Sequence, residues 1–263
     1  TAKVIVDLAQ QGLDIIVTHG NGPQVGMIQN AMDNLVVTHE NYKQVPLPTS
    51  VAMSQGYIGI DLQNAIKYEL YSRNIEGKVS TILSQVEVDK NDPAFENPTK
   101  PIGRFLTKEE AEENEANGVR CMEDAGRGYR VVVASPMPQR IRELETIKTL
   151  VNAGHIVITC GGGGIPVMEQ GCELRGASAV IEKDLVSGLL AKEIDADVLM
   201  IQNNACFQIF IIGRNTYVVF DGKTAEDTIS TTVLCDQADT GFHGICRVFD
   251  RYFLSFDVNF TAL

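Results

Sequence analysis

Short apolar runs alternate with longer amphipathic segments along the first 201 residues of the chain. The runs are rich in β-branched residues, and they cover residues 13–18, 78–83, 130–133, 155–160 and 197–201. Strands of nearly continuous apolar character are usually covered on both faces, as in a parallel sheet. The pattern therefore predicts a buried, mainly parallel sheet.

Helical apolar spacing fills the intervals between these runs. It predicts helices over residues 23–35, 51–72, 139–152 and 177–193, and the opening residues also have a helical pattern. Gly12 and Gly154 stand where helix C-caps are expected. Alternating strands and helices predict an α/β layered domain with right-handed crossovers.

An insertion interrupts the alternation at about residues 86–129, which are rich in Pro, Asn, Asp and Glu. This composition predicts a solvated excursion or a small subdomain, and a lid or binding element fits a long insertion equally well. We therefore expect the α/β core to occupy residues 1–201 with this insertion inside it.

The segment after the core, residues 202–263, has a different character. Eight of the ten Phe residues lie at or after Phe207, and the alternation of strand and helix is lost. Residues 207–212 and 216–220 predict a β-hairpin, whereas residues 224–263 carry no periodic signal. We treat this segment as an atypical C-terminal part of uncertain fold.

The charge balance is acidic, with 22 Lys and Arg against 34 Asp and Glu, a net charge of −12 and a pI near 4.8. Such a surface repels phosphate backbones and anionic lipid, so we expect neither nucleic acid nor membrane partners. No apolar stretch approaches the roughly 20 residues of a spanning helix, and no signal peptide is recognisable, so the cytoplasm is expected. Six cysteines without a C-x-x-C pair indicate reduced thiols and no metal site.

Two glycine-rich loops directly follow apolar strands. Gly20, Asn21 and Gly22 follow the first strand and open a helix, and four consecutive glycines, residues 161–164, follow another strand. Glycine lets backbone N–H groups approach an anion, and a helix N-terminus adds partial positive charge. Carboxyl ends of parallel strands share one edge of a sheet, where ligands of such folds bind. For the first loop alone, a tight turn without a ligand fits at least equally well.

Lys183 and Asp184 lie near the start of the predicted helix over residues 177–193. An exposed ion pair of little energetic weight is one interpretation. In the other, the ammonium neutralises charge on a transferring phosphoryl group while the carboxylate holds it in position. The sequence contains neither a Walker A motif, nor the His-Arg-Asp loop of protein kinases, nor a G-x-S-x-G nucleophile motif.

Six blocks in order resemble carbamate kinases, members of the amino-acid kinase superfamily: residues 18–26, 52–56, 91–103, 123–130, 161–166 and 179–184. The resemblance implies a three-layer α/β/α sandwich around a mainly parallel sheet, with a protruding subdomain. It also implies reversible phosphoryl transfer between ATP and carbamate, giving ADP and carbamoyl phosphate, with Mg²⁺ on the nucleotide. A homodimer and an ATP-forming role in arginine degradation are further implications.

The resemblance also implies roles for individual residues. Gly20, Asn21 and Gly22 would hold the carbamoyl or phosphoryl group, and Gly161, Gly162, Gly163 and Gly164 would form the floor of the site. Lys183 would bridge phosphates, Asp184 would orient that lysine, and Lys100 would reach in from the insertion. Without its surrounding block, Lys100 reads as a solvated loop lysine. An attacking group that is already an anion needs no base, so positioning and charge neutralisation suffice.

Two family features are not found in the sequence: an N-terminal strand with a Leu-Gly-Gly-Asn-Ala-type loop, expected before Thr1, and a later Gly-Ser-Met-x-Pro-Lys block. Losing one such donor costs about 3 to 4 kcal/mol in barrier, so weak activity is expected. The alternative function is a catalytically impaired, truncated or frame-shifted relative that only binds an anion or a partner subunit. Another amino-acid kinase, acting on acetylglutamate or UMP, is disfavoured by residues 97–100 and 124–128, which look specific to carbamate kinases.

Overall fold

The computed structural model describes residues 1–39, 41–203, 206–211, 233–234 and 251–256. The helices are α1 (Ala2–Ala9), α2 (Gly22–Thr38), α3 (Leu47–Ser72), α4 (Lys108–Ala116), α5 (Leu144–Asn152) and α6 (Lys183–Glu193). The strands are β1 (Asp14–His19), β2 (Lys78–Thr81), β3 (Gln85–Val88), β4 (Lys100–Leu106), β5 (Cys121–Glu123), β6 (Tyr129–Val133), β7 (Pro138–Ile141), β8 (His155–Ile158), β9 (Ile165–Gln170), β10 (Glu173–Gly176), β11 (Val198–Asn203), β12 (Cys206–Ile211), β13 (Val233–Leu234) and β14 (Arg251–Phe256).

A mainly parallel sheet forms the centre of the fold, with the described strands in the order β13-β12-β11-β14-β1-β8-β2. The pairings from β11 through β14, β1 and β8 to β2 are parallel, and β12 and β13 add antiparallel pairings at one side. The predicted α/β fold with a mainly parallel sheet is therefore confirmed.

Helices cover both faces of this sheet because the side chains of each strand alternate. In β1, Ile15 and Val17 enter a core with apolar residues of α1 and α3, whereas Ile16 enters a second core with residues of α5 and α6. All three side chains are almost fully buried. This arrangement confirms the three-layer sandwich and explains why the strand shows a continuous apolar run.

Two predicted helices begin later than expected. Residues 138–141 form β7, which pairs with β3, and α5 starts only at Leu144. Residues 177–182 are not helical, with a bend at Ser178 and a bridge from Ala134 to Ala179, and α6 starts at Lys183. In this segment Ala177, Ala179 and Ile181 enter one core and Val180 enters another, so buried side chains point to both sides as in a strand.

The predicted strand over residues 130–133 does not lie in the parallel sheet, which corrects that expectation. It belongs to β6, which pairs antiparallel with β4 and β5 in a separate small sheet. A capping box between Thr107 and Glu110 starts α4 next to these strands. By contrast, β3 joins β9, β7 and β10 in a four-stranded sheet, so the small three-stranded sheet and α4 are formed by residues 100–133.

The C-terminal segment contributes to the central sheet in the residues that the structure describes. β14 lies between β1 and β11, although the sequence around it has no periodic signal. β12 pairs with β11, and the predicted hairpin partner at residues 216–220 lies outside the described residues. Among the helices in the described ranges, none combines the length and apolar character needed to cross a membrane.

Candidate active site

The two glycine-rich loops lie side by side at the carboxyl edge of the central sheet. Residues 20–22 follow β1 and residues 161–164 follow β8, and these strands are parallel neighbours through Val17 and Ile158. The structure therefore brings together the two loops that the sequence places after separate strands.

The second loop requires glycine at its centre, because its backbone is left-handed there and neighbouring atoms leave no room for a side chain. Gly162 and Gly163 have positive φ angles of 63° and 85°. A Cβ on Gly162 would overlap the side-chain amide of Asn21, and a Cβ on Gly163 would lie 2.5 Å from the carbonyl oxygen of Ile181. Gly162 therefore contacts the first loop, and Gly163 contacts the segment that leads into Lys183.

His19 directly precedes the first loop, and its ring packs against Gly161 of the second. Its Nδ1 donates a hydrogen bond to the carbonyl oxygen of Gly20 at 3.0 Å, since a carbonyl can only accept. Burial, with a smaller effect from the nearby charge of Lys183, lowers the pKa of His19 to about 4, although the hydrogen bond to Gly20 acts in the opposite direction. The imidazole is therefore neutral near pH 7 and acts as a packing group.

Lys183 and Asp184 begin α6, which is held against β1 by a 2.9 Å hydrogen bond between the hydroxyls of Thr18 and Ser187. Lys183 Nζ lies 3.2 Å from Asp184 Oδ1, and the two side chains are only 8% and 25% exposed. Neither of these atoms has a hydrogen-bond partner among the residues that the structure describes. An ammonium buried beside one carboxylate and without hydrogen bonds is costly unless a ligand adds partners, and its burial excludes a surface ion pair.

Lys100, the first residue of β4, lies close to the start of α6. It stands opposite Val133 in the β4–β6 pairing, and the next residue, Ala134, bridges to Ala179. The ammonium of Lys100 forms an ion pair with Glu182, which directly precedes Lys183 in the chain. The Lys100 side chain is 20% exposed, so it is not a freely solvated loop lysine.

Polar residues of α3 support both loops, and the sequence reasoning assigned them no role. Ser54 accepts a hydrogen bond from Asn21 Nδ2 at 2.8 Å, and Gln55 donates one to the carbonyl oxygen of Gly161 at 3.0 Å. Both residues are buried. The available signal was a pair of adjacent polar residues within block 52–56, on a helix whose other buried positions are mostly apolar.

The fold and the site together define a three-layer α/β protein with ammonium groups and glycine loops at the carboxyl edge of its sheet. Residues 1–204 match the amino acid kinase family, and the chain belongs to that family.

Carbamate kinases are prominent among its similar proteins. The chain is 59% identical over 201 residues to the carbamate kinase-like protein YqeA of Escherichia coli K12, covering 76% of this chain and 65% of the relative. It is 53% identical over 202 residues to the carbamate kinase of Clostridium perfringens, covering 76% and 64%. The chain thus spans slightly under two thirds of the length of these curated relatives.

Solved structures of the carbamate kinase from Giardia lamblia have the same fold. The structure bound to citric acid gives a TM-score of 0.72 at 40% identity, covering 76% of this chain and 64% of that one. The structure bound to AMP-PNP gives a TM-score of 0.66 at 40% identity, covering 76% and 63%.

Proposed function

We propose that the chain catalyses reversible transfer of a phosphoryl group between ATP and carbamate, giving ADP and carbamoyl phosphate. The observation that carries the proposal is the buried ammonium of Lys183 beside two glycine loops, which pairs with Asp184 but makes no hydrogen bond in the described residues. Further support comes from the relatives, which bear the name carbamate kinase, and from the Giardia enzyme solved with AMP-PNP, an analogue of ATP.

The chemistry requires positioning and charge neutralisation. An anionic oxygen of carbamate attacks the γ-phosphorus, and the bond from that phosphorus to the bridging oxygen breaks with its electron pair remaining on ADP. No proton is transferred, so the neutral, buried His19 is not needed as a base. Lys183 and Lys100 would compensate the charge spread over the phosphoryl oxygens, and Asp184 would hold Lys183 in place.

The glycine loops would hold the reacting groups. In our proposal Gly20, Asn21 and Gly22 bind the carbamoyl or phosphoryl group, and residues 161–164 shape the floor beneath it. The side chain of Asn21 in the first loop already packs against Gly162 in the second. Such pre-organisation lowers the barrier because little reorganisation remains for the reaction.

Mg²⁺ would accompany the nucleotide and neutralise phosphate charge when bound. Within the described ranges, no three His, Cys, Asp or Glu side chains cluster as a metal cage would require. The ion would therefore be held mainly by phosphate oxygens, as is usual for Mg²⁺. Asp184 Oδ1 lies 3.2 Å from the Lys183 ammonium, so this carboxylate would serve the lysine and leave the ion to the phosphate oxygens.

We also propose a homodimer, a cytoplasmic location and an ATP-forming role in arginine degradation. The homodimer has support in a stripe of exposed large side chains along α3, at Tyr57, Ile60, Tyr68 and Tyr71. Sedimentation equilibrium of the wild type and of Tyr71→Lys tests it. A monomeric wild type would contradict the homodimer.

A coupled assay of ATP formation from ADP and carbamoyl phosphate tests the proposed reaction. Lys183→Ala should lower the rate by about 10² to 10³, the usual effect of removing one electrostatic contact to the transition state. Lys192→Ala is the matched control, since Lys192 is an exposed lysine in the last turn of the same helix. Equal rates for the wild type and Lys183→Ala would contradict the assignment.

A second candidate is a chain that binds the anion without turning it over. It is favoured by the family match, which covers residues 1–204 and not the remainder. Calorimetric binding of carbamoyl phosphate without ATP formation would support this candidate. If the chain neither bound carbamoyl phosphate nor formed ATP, both candidate functions would be contradicted.

A further inference from the structure

Gln55 of α3 is a buried side chain whose amide is fully engaged with the segments around the second glycine loop. Its Nε2 donates to the carbonyl oxygens of Ser84 at 3.2 Å and Gly161 at 3.0 Å, and its Oε1 accepts from the N–H of Ser84 at 2.9 Å. The side chain is 1% exposed. These partners fix the orientation of the amide, because carbonyls only accept and N–H groups only donate.

Ser84 extends this contact to both ends of the loop. Its Oγ accepts a hydrogen bond from the N–H of Cys160 at 2.7 Å, and its carbonyl oxygen accepts one from the N–H of Ile165 at 2.8 Å. Gln55 and Ser84 together therefore hold the residues before and after the four glycines and the first glycine itself. Cys160 has a left-handed backbone with φ 52°, a conformation that such contacts stabilise.

The residue preceding Gln55 holds the other loop. Ser54 accepts from Asn21 Nδ2 at 2.8 Å and donates to the carbonyl oxygen of Val51 at 2.6 Å. Two consecutive residues of one helix thus fasten the two loops, so α3 sets the separation between them. A buried, fully satisfied polar network of this kind holds a single geometry, since each lost bond leaves a buried group unpaired.

We propose that Gln55 is a positioning residue, which fixes the glycine loop at residues 161–164 relative to the loop at residues 20–22. It acts through Gly161 and Ser84, and it does not touch the reacting atoms. The proposal rests on the proposed phosphoryl transfer for its kinetic consequence only. A misplacement of about 1 Å in such a site can cost up to about 10² in rate.

The variant Gln55→Glu tests the proposal because it makes the contact dependent on pH. One carboxylate oxygen can still accept from Ser84 N–H, but the other then faces two carbonyl oxygens and repels them. Protonation restores one donor to this position, and burial favours the protonated form. We expect kcat for ATP formation to fall at least about tenfold at pH 8 and to recover severalfold at pH 6, relative to wild type at each pH.

Gln63→Glu is the matched control on the same helix. Gln63 Oε1 accepts from the N–H of Thr81 at 2.9 Å, and a carboxylate retains this acceptor. The control should therefore match the wild type at both pH values. A Gln55→Glu variant that follows the wild-type profile, or a Gln63→Glu variant with the same loss, would overturn the proposal.

A second readout separates this proposal from the proposed function. In amide NMR spectra, the Gly161, Gly162 and Gly163 signals of Gln55→Glu should shift between pH 8 and pH 6, and those of Gln63→Glu should follow the wild type. If the wild type forms no ATP, the proposed function fails and these shifts still decide the positioning role. If Gln55→Glu does not fold at pH 8, Gln55→Met replaces it, and unchanged glycine signals in that variant would overturn the proposal.

Discussion

Acidification should destabilise the folded chain through His19. Burial lowers the pKa of this imidazole from 6.5 to about 4 in the folded state. Between these two values the unfolded chain binds a proton at this position and the folded chain does not. The free energy of unfolding therefore falls as the pH drops through this window. Above pH 6.5 His19 is neutral in both states and does not destabilise the fold.

The size of the effect follows from the shift in pKa. Each unit of pKa difference is worth about 1.4 kcal/mol, so His19 should cost the folded state about 3 kcal/mol by pH 4. That loss is a sizeable share of the roughly 5 to 15 kcal/mol typical of a folded domain. Carboxylates also titrate in this range, so the contribution of His19 is best isolated by a substitution.

Urea unfolding of the wild type and His19→Gln at intervals from pH 7 to pH 4 measures this contribution. The wild type should lose about 3 kcal/mol more than His19→Gln over the window, because glutamine takes no proton. His39→Gln, which removes an exposed histidine, should lose stability in parallel with the wild type. Parallel curves for the wild type and His19→Gln would refute the assignment of a buried, neutral imidazole.

Two further predictions concern the glycine loop at residues 161–164 and Cys160 before it. Gly163→Ala should destabilise the chain by clearly more than Gly171→Ala. Both glycines have positive φ, which costs a side chain about 1 to 2 kcal/mol, but a Cβ on Gly163 would also meet the Ile181 carbonyl oxygen, whereas Gly171 has open space. Equal losses in urea unfolding would contradict the close approach. Burial raises the pKa of the Cys160 thiol to about 11, so iodoacetamide at pH 8 should modify the exposed Cys172 in the native protein and Cys160 only after unfolding, as judged by peptide mass spectrometry.

The sequence predicts those elements whose burial is visible in their own run of residues. β1 and β8 each contain a run of three apolar residues because both of their faces are covered, and this pattern needs no knowledge of their neighbours. Residues 177–182 were assigned to a helix because alternating small and apolar residues also satisfy helical spacing over a short span. β14 lies in the centre of the sheet, yet a strand of six residues in a segment without a periodic signal offers no local evidence of its partners.

The site shows the same division between local and non-local information. Glycines that follow a strand indicate a loop able to approach an anion, and this inference needs only neighbouring residues. The burial of Lys183 depends on how α6 packs against β1, which no local pattern encodes. The role of Gln55 is not encoded in hydrophobic periodicity either, because a polar residue on the buried face of a helix only weakens the helical pattern.

The energetic cost concentrated at this edge of the sheet argues against a loop that serves only to connect two elements. Left-handed backbone at Cys160 and a buried ammonium at Lys183 are each unfavourable in a folded chain, and a simple turn requires neither. The hydrogen bonds of Ser84 and Gln55 offset the first cost, whereas the Lys183 ammonium has one ion pair, with Asp184, and no hydrogen bond in the described residues. An anionic guest would offset the second, so ligand binding should stabilise the fold in proportion to the logarithm of ligand concentration above its Kd.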